Sequence, residues 1–424
     1  MATALVIGNI IGSAIFMLPA AIAPYGWNAV AAWGVTFVGA LSLAWVLSAL
    51  ARSLPDVGGS YGFMKRGVGE GAAFVGAWGY IVSVWAANAG ITIAGISYLT
   101  RLMPWLERTP GAASTAALAT IWLFAWVNLR GLRSAGGMQS ATTIIKLLPF
   151  VAVIGLAFWR IASLGAAALP PISETSFSVS GASGAVGLTL FAMLGLESAA
   201  IPADVVEDPE RNVPRATMVG TSLSAIVTLV ATCSVALMLP LSVVSTSNAP
   251  VSDFIATAFG SAAGTLVALC AVISCLGCLN GWLLLSGELP ASMARAGALP
   301  AWFALPNGHA APSRGIVLGA IVSSALTLLA YTRVGVAAYN FATLIATATN
   351  LVLYLLCVVA VARFMRDGRV PRSRSLVAAT ALAFAFVLWA FYSSGAESLA
   401  WGGALTAAGW PIYRLARRAA TAAV

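Results

Sequence analysis

Two stretches carry most of the information in the chain: Gly8-Asn9-Ile10-Ile11-Gly12-Ser13-Ala14-Ile15-Phe16-Met17-Leu18-Pro19 and Phe191-Ala192-Met193-Leu194-Gly195-Leu196-Glu197-Ser198-Ala199-Ala200-Ile201-Pro202. Each lies inside an apolar run. In each, a glycine precedes a proline by seven residues, Gly12 before Pro19 and Gly195 before Pro202, and a hydroxyl follows the glycine. Glycine permits an unwound backbone, and proline removes a donor from the helical ladder. Two apolar helices interrupted in the same way, in corresponding places, point to an inverted-repeat membrane transporter with its site at the breaks.

The composition agrees. Of 424 residues, 60% are hydrophobic and only 8% are charged, against about 25% charged in soluble domains. A surface built from so few charges faces lipid. A crossing helix takes about 20 apolar residues, so the chain has room for about a dozen crossings and little else. Apolar runs predict spans near 2–24, 28–51, 71–100, 112–129, 138–159, 184–206, 217–240, 255–284, 313–331, 336–362, 375–393 and 397–414. The two breaks fall in the first and sixth of these.

This count places both termini on one side of the membrane. Seventeen of the 22 Lys and Arg then fall on that side and four on the other, with Lys146 left inside a span. Positive charge concentrates in the cytoplasm, so a bacterial inner-membrane protein with both ends cytoplasmic is expected. The net charge of +9 is therefore a topology signal. Nucleic acid is excluded as a partner, because the basic residues flank apolar runs and form no basic face.

The first apolar run is interrupted and lacks a basic leader, so no cleavable signal is expected. Gly67-x-Gly69-x-Gly71 opens a membrane helix after a loop, which is not a nucleotide fingerprint. Cys275-x-x-Cys278 has no second pair or histidine beside it, so a metal or redox role is not expected and no cofactor is called for. An intramembrane enzyme would need a catalytic constellation that the lone His309 does not provide, and His309 itself is expected in solvent. A channel would show repeated charge or carbonyl rings.

Unwinding frees backbone groups that cannot stay unpaired at membrane depth. The start of the half-helix after the first break offers the N–H groups of Ile11, Gly12, Ser13 and Ala14 at a positive dipole end, which suits a carboxylate. The end of the half-helix before the second break offers the carbonyls of Phe191, Ala192 and Leu194, which suit an ammonium. Together they describe a clamp for the backbone of a small amino-acid-like substrate.

Two ionisable residues lie deep in spans, Lys146 and Glu197. A central charge costs roughly 2.5–3.5 kcal/mol on insertion scales, so each needs a cavity or a partner. Burial disfavours charge on either group, and either can exchange a proton during a cycle. Two roles stay open for each: a static hydrogen-bonding group, or a coupling and gating group. Phe191, Trp282 and Trp85 can receive a cation on their ring faces. Asn88, polar within an apolar span, is either a ligand or interhelical glue. The acidic run 203–214 reads as a solvated loop or a latch toward Arg52, Lys65 or Arg66.

The chain resembles the amino acid–polyamine–organocation family, most closely its bacterial basic amino acid/polyamine antiporters, among which the arginine/agmatine antiporter is the best-known type. The resemblance runs essentially end to end. It rests on Gly8 to Phe16, Gly58-Gly59-Ser60-Tyr61, Gly195-Leu196-Glu197-Ser198, Asp208-Pro209-Glu210-Arg211-Asn212-Val213-Pro214-Arg215-Ala216-Thr217 and Cys275-Leu276-Gly277-Cys278-Leu279-Asn280-Gly281-Trp282. It implies an all-α membrane protein of twelve transmembrane helices with a LeuT-like five-plus-five inverted repeat, broken at helices 1 and 6. The repeats would span 1–160 and 184–362, with two further helices in 363–424, and the assembly would be a homodimer.

By the same resemblance, Ser13 and the neighbouring amides in the stretch Asn9 to Ala14 meet the substrate carboxylate. Phe191 is a moving aromatic gate, Asn88 and Trp282 line the distal pocket, and Glu197 is a proton-sensitive gate. Three departures matter. Ala14 stands where the family has glycine, Phe191 where the arginine/agmatine type has tryptophan, and Lys146 where that type has no lysine. Relatives that carry neutral amino acids do have such a lysine. The expected function is exchange of a cationic amino acid or polyamine-type substrate, the alternative being proton-coupled uptake of neutral amino acids.

Overall fold

A computed structural model of the chain describes residues 7, 10–12, 14–54, 59–131, 135–173, 176–199 and 209–422. The side chains of 14, 135–146, 198–199, 209–211, 213 and 417–422 lie outside this description. The regular structure of the described residues is helical. In order the helices longer than one turn are α1 (Ala14–Ile22), α2 (Trp27–Ser53), α3 (Gly59–Val68), α4 (Glu70–Leu102), α5 (Ala112–Leu129), α6 (Ala135–Leu164) and α7 (Val179–Phe191). They continue with α8 (Pro209–Met238), α9 (Pro250–Arg295), α10 (Ser313–Ala330), α11 (Val336–Arg366), α12 (Arg374–Ser393), α13 (Gly395–Ala407) and α14 (Gly409–Ala422).

Among the described residues, nine helices are long and apolar enough to cross a membrane, and two shorter apolar helices, Ile15–Tyr25 and Val179–Phe191, lie beside the predicted breaks. Burial sorts the nine into layers. The most apolar window of α4 is wholly buried and that of α11 is 72% buried, whereas those of α5 and α6 are 22% and 28% buried. The outer helices thus present apolar residues such as Leu148, Val151, Phe158 and Trp159 outward. With no hydrophobic driving force between helices in lipid, close approach comes from small residues. A Cβ on Gly79 of α4 would lie 2.9 Å from the Thr349 carbonyl of α11, and one on Gly315 of α10 would lie 2.8 Å from the Gly287 backbone of α9.

Two predicted spans differ from the structure. The span 255–284 is the inner part of a longer element, α9, which Gly260 divides by a non-helical backbone (φ 80, ψ 174) into 250–259 and 261–295. The span 397–414 is two helices, α13 and α14, of 13 and 14 residues. The ladder is interrupted at Ala408, where Pro411 has no N–H to donate; Gly409 packs on the Trp78 indole, where a Cβ would lie 2.4 Å from the ring. Tyr413 of α14 then stacks on Phe74 near the start of α4, centroids 4.6 Å apart.

α4 and α9 run antiparallel, and their contacts fix a register. Near one end Arg101 pairs with Asp253, and Ser247 donates to the same carboxylate at 2.5 Å. Beside this pair the Tyr98 hydroxyl donates to the Phe16 carbonyl of α1 at 2.9 Å and accepts the Val251 N–H at 3.1 Å. The outer segment 250–259 is therefore tied to both α4 and α1. Further along, a Cβ on Gly95 would lie 3.1 Å from Cys275 Cβ, and Asn88 bonds Ser286. A second ion pair, Arg333 with Glu397, joins the loop before α11 to α13, but Glu397 is 61% exposed, against 28% for Asp253.

Exposed ion pairs contribute little, and half-buried ones with further hydrogen bonds contribute more. Asp253→Ala is therefore expected to lower the melting temperature of the detergent-solubilised protein by about 2–4 °C. Glu397→Ala should shift it by under about 1 °C, and a thermal-shift scan of the two variants compares them directly.

Candidate functional site

The first break is visible in the hydrogen bonds around Gly12. The Ile11 N–H donates to the Ile7 carbonyl at 2.8 Å and the Gly12 N–H to the Ile10 carbonyl at 2.8 Å, after which α1 begins at Ala14. The Ile11 and Gly12 amides, expected to face a carboxylate, are engaged locally. Helix geometry leaves the first-turn amides of Ala14, Ile15 and Phe16 outside the ladder, so the positive helix end lies one turn further along. Asn9 and Ser13 lie outside the described residues, as does the Ala14 side chain. Ile10, Ile11 and Gly12 are buried.

The second break begins where α7 stops at Phe191. Met193 N–H bonds the Leu190 carbonyl at 2.8 Å and Leu194 N–H bonds the Phe191 carbonyl at 3.1 Å. Gly195 then takes φ 103, a conformation essentially reserved for glycine, and Leu196–Ala199 forms one tight turn. Of the three carbonyls expected to meet an ammonium, that of Phe191 thus already accepts one backbone bond and keeps a second lone pair. Ala192 and Leu194 are buried around it.

Glu197 is wholly buried at this turn. Its carboxyl accepts the Tyr354 hydroxyl of α11 at 2.6 Å and the Gly195 N–H at 3.3 Å, and Tyr80 of α4 faces the same group. A cavity of about 80 Å³ opens beside it, bordered by Ser60, Tyr61, Tyr80, Glu197 and Ser292. The buried hydroxyls of Ser60 and Tyr61 have no hydrogen-bond partner among the described residues, so the cavity offers polar atoms to water or to a polar guest. The sequence reading missed Tyr80 and Tyr354. Their signal was a phenol deep in an apolar span, where it needs a partner.

Phe191, Asn88 and Trp282 sit at one depth along α4, one turn or more beyond Tyr80. The Phe191 ring lies against Gly90, where a Cβ would be 3.8 Å from Cζ. It meets Tyr339 of α11 edge to face at 6.1 Å. Asn88, also wholly buried, donates from Nδ2 to Ser286 Oγ at 3.1 Å. Trp282 precedes Ser286 by one turn of α9, and its carbonyl accepts the Ser286 hydroxyl at 3.2 Å. By this register Trp282 stands level with residues 90–92. Trp85 packs into the same region, its indole N–H buried and without a partner among the described residues, and its carbonyl accepts Ser323 of α10 at 3.0 Å.

Lys146 lies in α6, three residues before Pro149, with its side chain outside the described set. The acidic run 203–214 falls largely outside it as well, so the latch has no described counterpart; Lys65 instead lies 3.9 Å from Glu70. His309 is exposed. From Tyr80 to Tyr98 spans about 27 Å of helix. The Glu197 cluster and the Tyr98–Arg101–Asp253 cluster thus stand at opposite ends of a column, with Phe191, Asn88 and Trp282 between them.

A bundle of apolar helices in which two interrupted helices meet a buried polar site is the architecture of a secondary membrane transporter. The sequence matches the amino acid permease family over residues 1–402, and the chain belongs to that family. It is 32% identical to the putrescine transporter PotE of Escherichia coli K12 over 418 residues, covering 97% of this chain and 94% of the relative. It is 29% identical to the putrescine transporter PotE of Haemophilus influenzae at the same coverage. The cadaverine/lysine antiporter of Escherichia coli K12 is 32% identical over 329 residues, 77% of this chain and 73% of the relative.

Gly195 tests the second break. An alanine there meets a forbidden backbone region, costing about 1–2 kcal/mol or a rearranged turn. Gly195→Ala is expected to lower transport at least about tenfold per inserted molecule. Gly155→Ala, on an open face of α6 with nothing within 4 Å, should leave it unchanged. Uptake normalised to membrane-inserted protein makes the comparison.

Proposed function

We propose that the protein exchanges cationic amines, diamines in particular, for a basic amino acid across the bacterial inner membrane. The observation that carries this reading is the wholly buried carboxyl of Glu197, held by Tyr354 and the Gly195 amide beside a polar cavity at the break after α7. A buried acceptor of this kind suits an ammonium, and the ring faces of Phe191 and Trp282, one turn or more further along the column, can receive a cation. The names of the relatives, a putrescine transporter and a cadaverine/lysine antiporter, support the same substrate class. In this reading the first-turn amides of α1 take the carboxylate when an amino acid is bound, and a diamine leaves them to solvent.

The reading also keeps a five-plus-five inverted repeat over 1–160 and 184–362. It keeps twelve crossings, the last shared by α13 and α14, with both termini cytoplasmic and a homodimeric assembly. Lys146 favours a second reading, proton-coupled uptake of neutral amino acids, because an amine in an apolar helix can carry a proton. Lys146→Ala separates the two, since it would abolish uptake driven by a pH gradient and leave exchange largely intact.

Proteoliposomes test the exchange. Labelled putrescine or cadaverine should enter vesicles preloaded with lysine or diamine at least about ten times faster than empty ones, in keeping with obligatory exchange. Neutral amino acid accumulation driven by a pH gradient, without internal substrate, would overturn the reading. Phe191→Leu should raise the KM for cadaverine about tenfold through loss of the ring face, while Phe191→Tyr stays within about twofold of the parent.

A further inference from the structure

The amide of Asn88 is held by one arm only. Its Nδ2 donates to Ser286 Oγ at 3.1 Å, and its Oδ1 is buried with no hydrogen-bond partner among the described residues. Buried acceptors are paired in the great majority of proteins, so an orphaned one asks for a donor. The backbone carbonyl of Asn88 is already taken by the Thr92 hydroxyl at 2.7 Å.

Ser286 determines which arm is free. Its hydroxyl hydrogen is directed to the Trp282 carbonyl at 3.2 Å. A serine that has committed its hydrogen offers only lone pairs, and these accept an N–H but repel a carbonyl oxygen. Asn88 must therefore turn its NH2 toward α9 and its oxygen away. Ser286 is itself immobilised, being wholly buried. On its far side stands Gly319 of α10, where a Cβ would lie 2.6 Å from Ser286 Cβ. Ser323, one turn on, fastens α10 to the Trp85 carbonyl of α4 at 3.0 Å. Three helices thus fix one hydroxyl, and the hydroxyl fixes one amide.

We infer that Ser286 is a positioning residue for substrate: through its hydrogen bond to Asn88 it presents Asn88 Oδ1 as the acceptor for an ammonium group of the transported amine. The inference rests on the amine-exchange reading and names a residue of its specificity. An ammonium has three donors and no acceptor, so an oxygen turned toward it attracts and an NH2 turned toward it repels. Without Ser286 the amide is free to flip and loses that discrimination.

A double-mutant cycle tests this, with cadaverine exchange into cadaverine-loaded proteoliposomes as the probe and melting temperature as the control for folding. Ser286→Ala is expected to raise the KM for cadaverine about tenfold, with kcat and melting temperature near those of the parent. Ser286→Thr, which keeps the hydroxyl, should stay within about twofold. The decisive arm is Asn88→Asp. A carboxylate accepts on both arms, so its orientation no longer matters, and in that background Ser286→Ala should change the KM by less than about twofold.

If Ser286→Ala has the same effect in the Asn88 and Asn88→Asp backgrounds, or no effect in either, Ser286 only packs and the inference is overturned. If Ser286→Thr behaves as Ser286→Ala, the hydroxyl is not the cause and the inference is likewise overturned. Absence of cadaverine exchange by the parent protein overturns the amine reading first and the inference with it. Normal exchange by the parent with an additive cycle overturns the inference alone.

Discussion

Every peptide group freed at membrane depth has to find a partner, because lipid supplies none. That constraint shapes the middle of this protein. After α7 the backbone leaves the helical path at a glycine with φ 103, and the groups released there are gathered by a side chain two residues on. The Glu197 carboxyl accepts the Gly195 amide and, from across the bundle, the Tyr354 hydroxyl. One acidic group therefore closes the break locally and links it to α11. The arrangement explains why an expensive residue is tolerated in an apolar setting, since its removal would orphan a backbone donor and a buried phenol together.

α4 joins these local solutions into one column. It is buried along its whole apolar length, so its faces meet α9, α11, α3 and α10 rather than lipid. At one level it carries Tyr80, beside Glu197. At another it carries Tyr98 and Arg101, which tie the outer segment 250–259 to α1 through the Phe16 carbonyl and the Asp253 carboxylate. Between them lie Asn88 and Gly90, next to Ser286 and Phe191. In the proposed exchange, a column closed at both ends by hydrogen-bonded clusters, with aromatic and amide groups between, would alternate access by opening one end at a time.

Much of this was legible in the sequence, and the reasons are physical. Low charge and long apolar runs require crossing helices, and the paired Gly and Pro signals marked where two of them break. Glu197 stood out because a carboxyl in an apolar run is costly wherever it points. What stayed hidden depends on pairing between distant segments. Tyr354 is 157 residues from Glu197 and Ser286 is 198 from Asn88, and no periodicity announces such partners. The Gly260 interruption and the stop at Ala408 were missed for a related reason. Both sit in apolar surroundings, and the close approach of Gly409 to the Trp78 indole appears only once α4 and α14 are packed. At the first break the amides of Gly12 and Ile11 bond the preceding backbone, so the free helix end begins at Ala14.

The central claim is that an amine binds between the two breaks. Hydrogen–deuterium exchange of the lipid-nanodisc protein, read by mass spectrometry with and without saturating cadaverine, tests it most directly. Slower exchange is expected in peptides covering 10–18 and 190–199 when cadaverine is present, with unchanged exchange in α12 and α13. Protection confined to the apolar groove between α11 and α13, lined by Val352, Leu399, Gly403 and Trp410, with no change at either break, would contradict it.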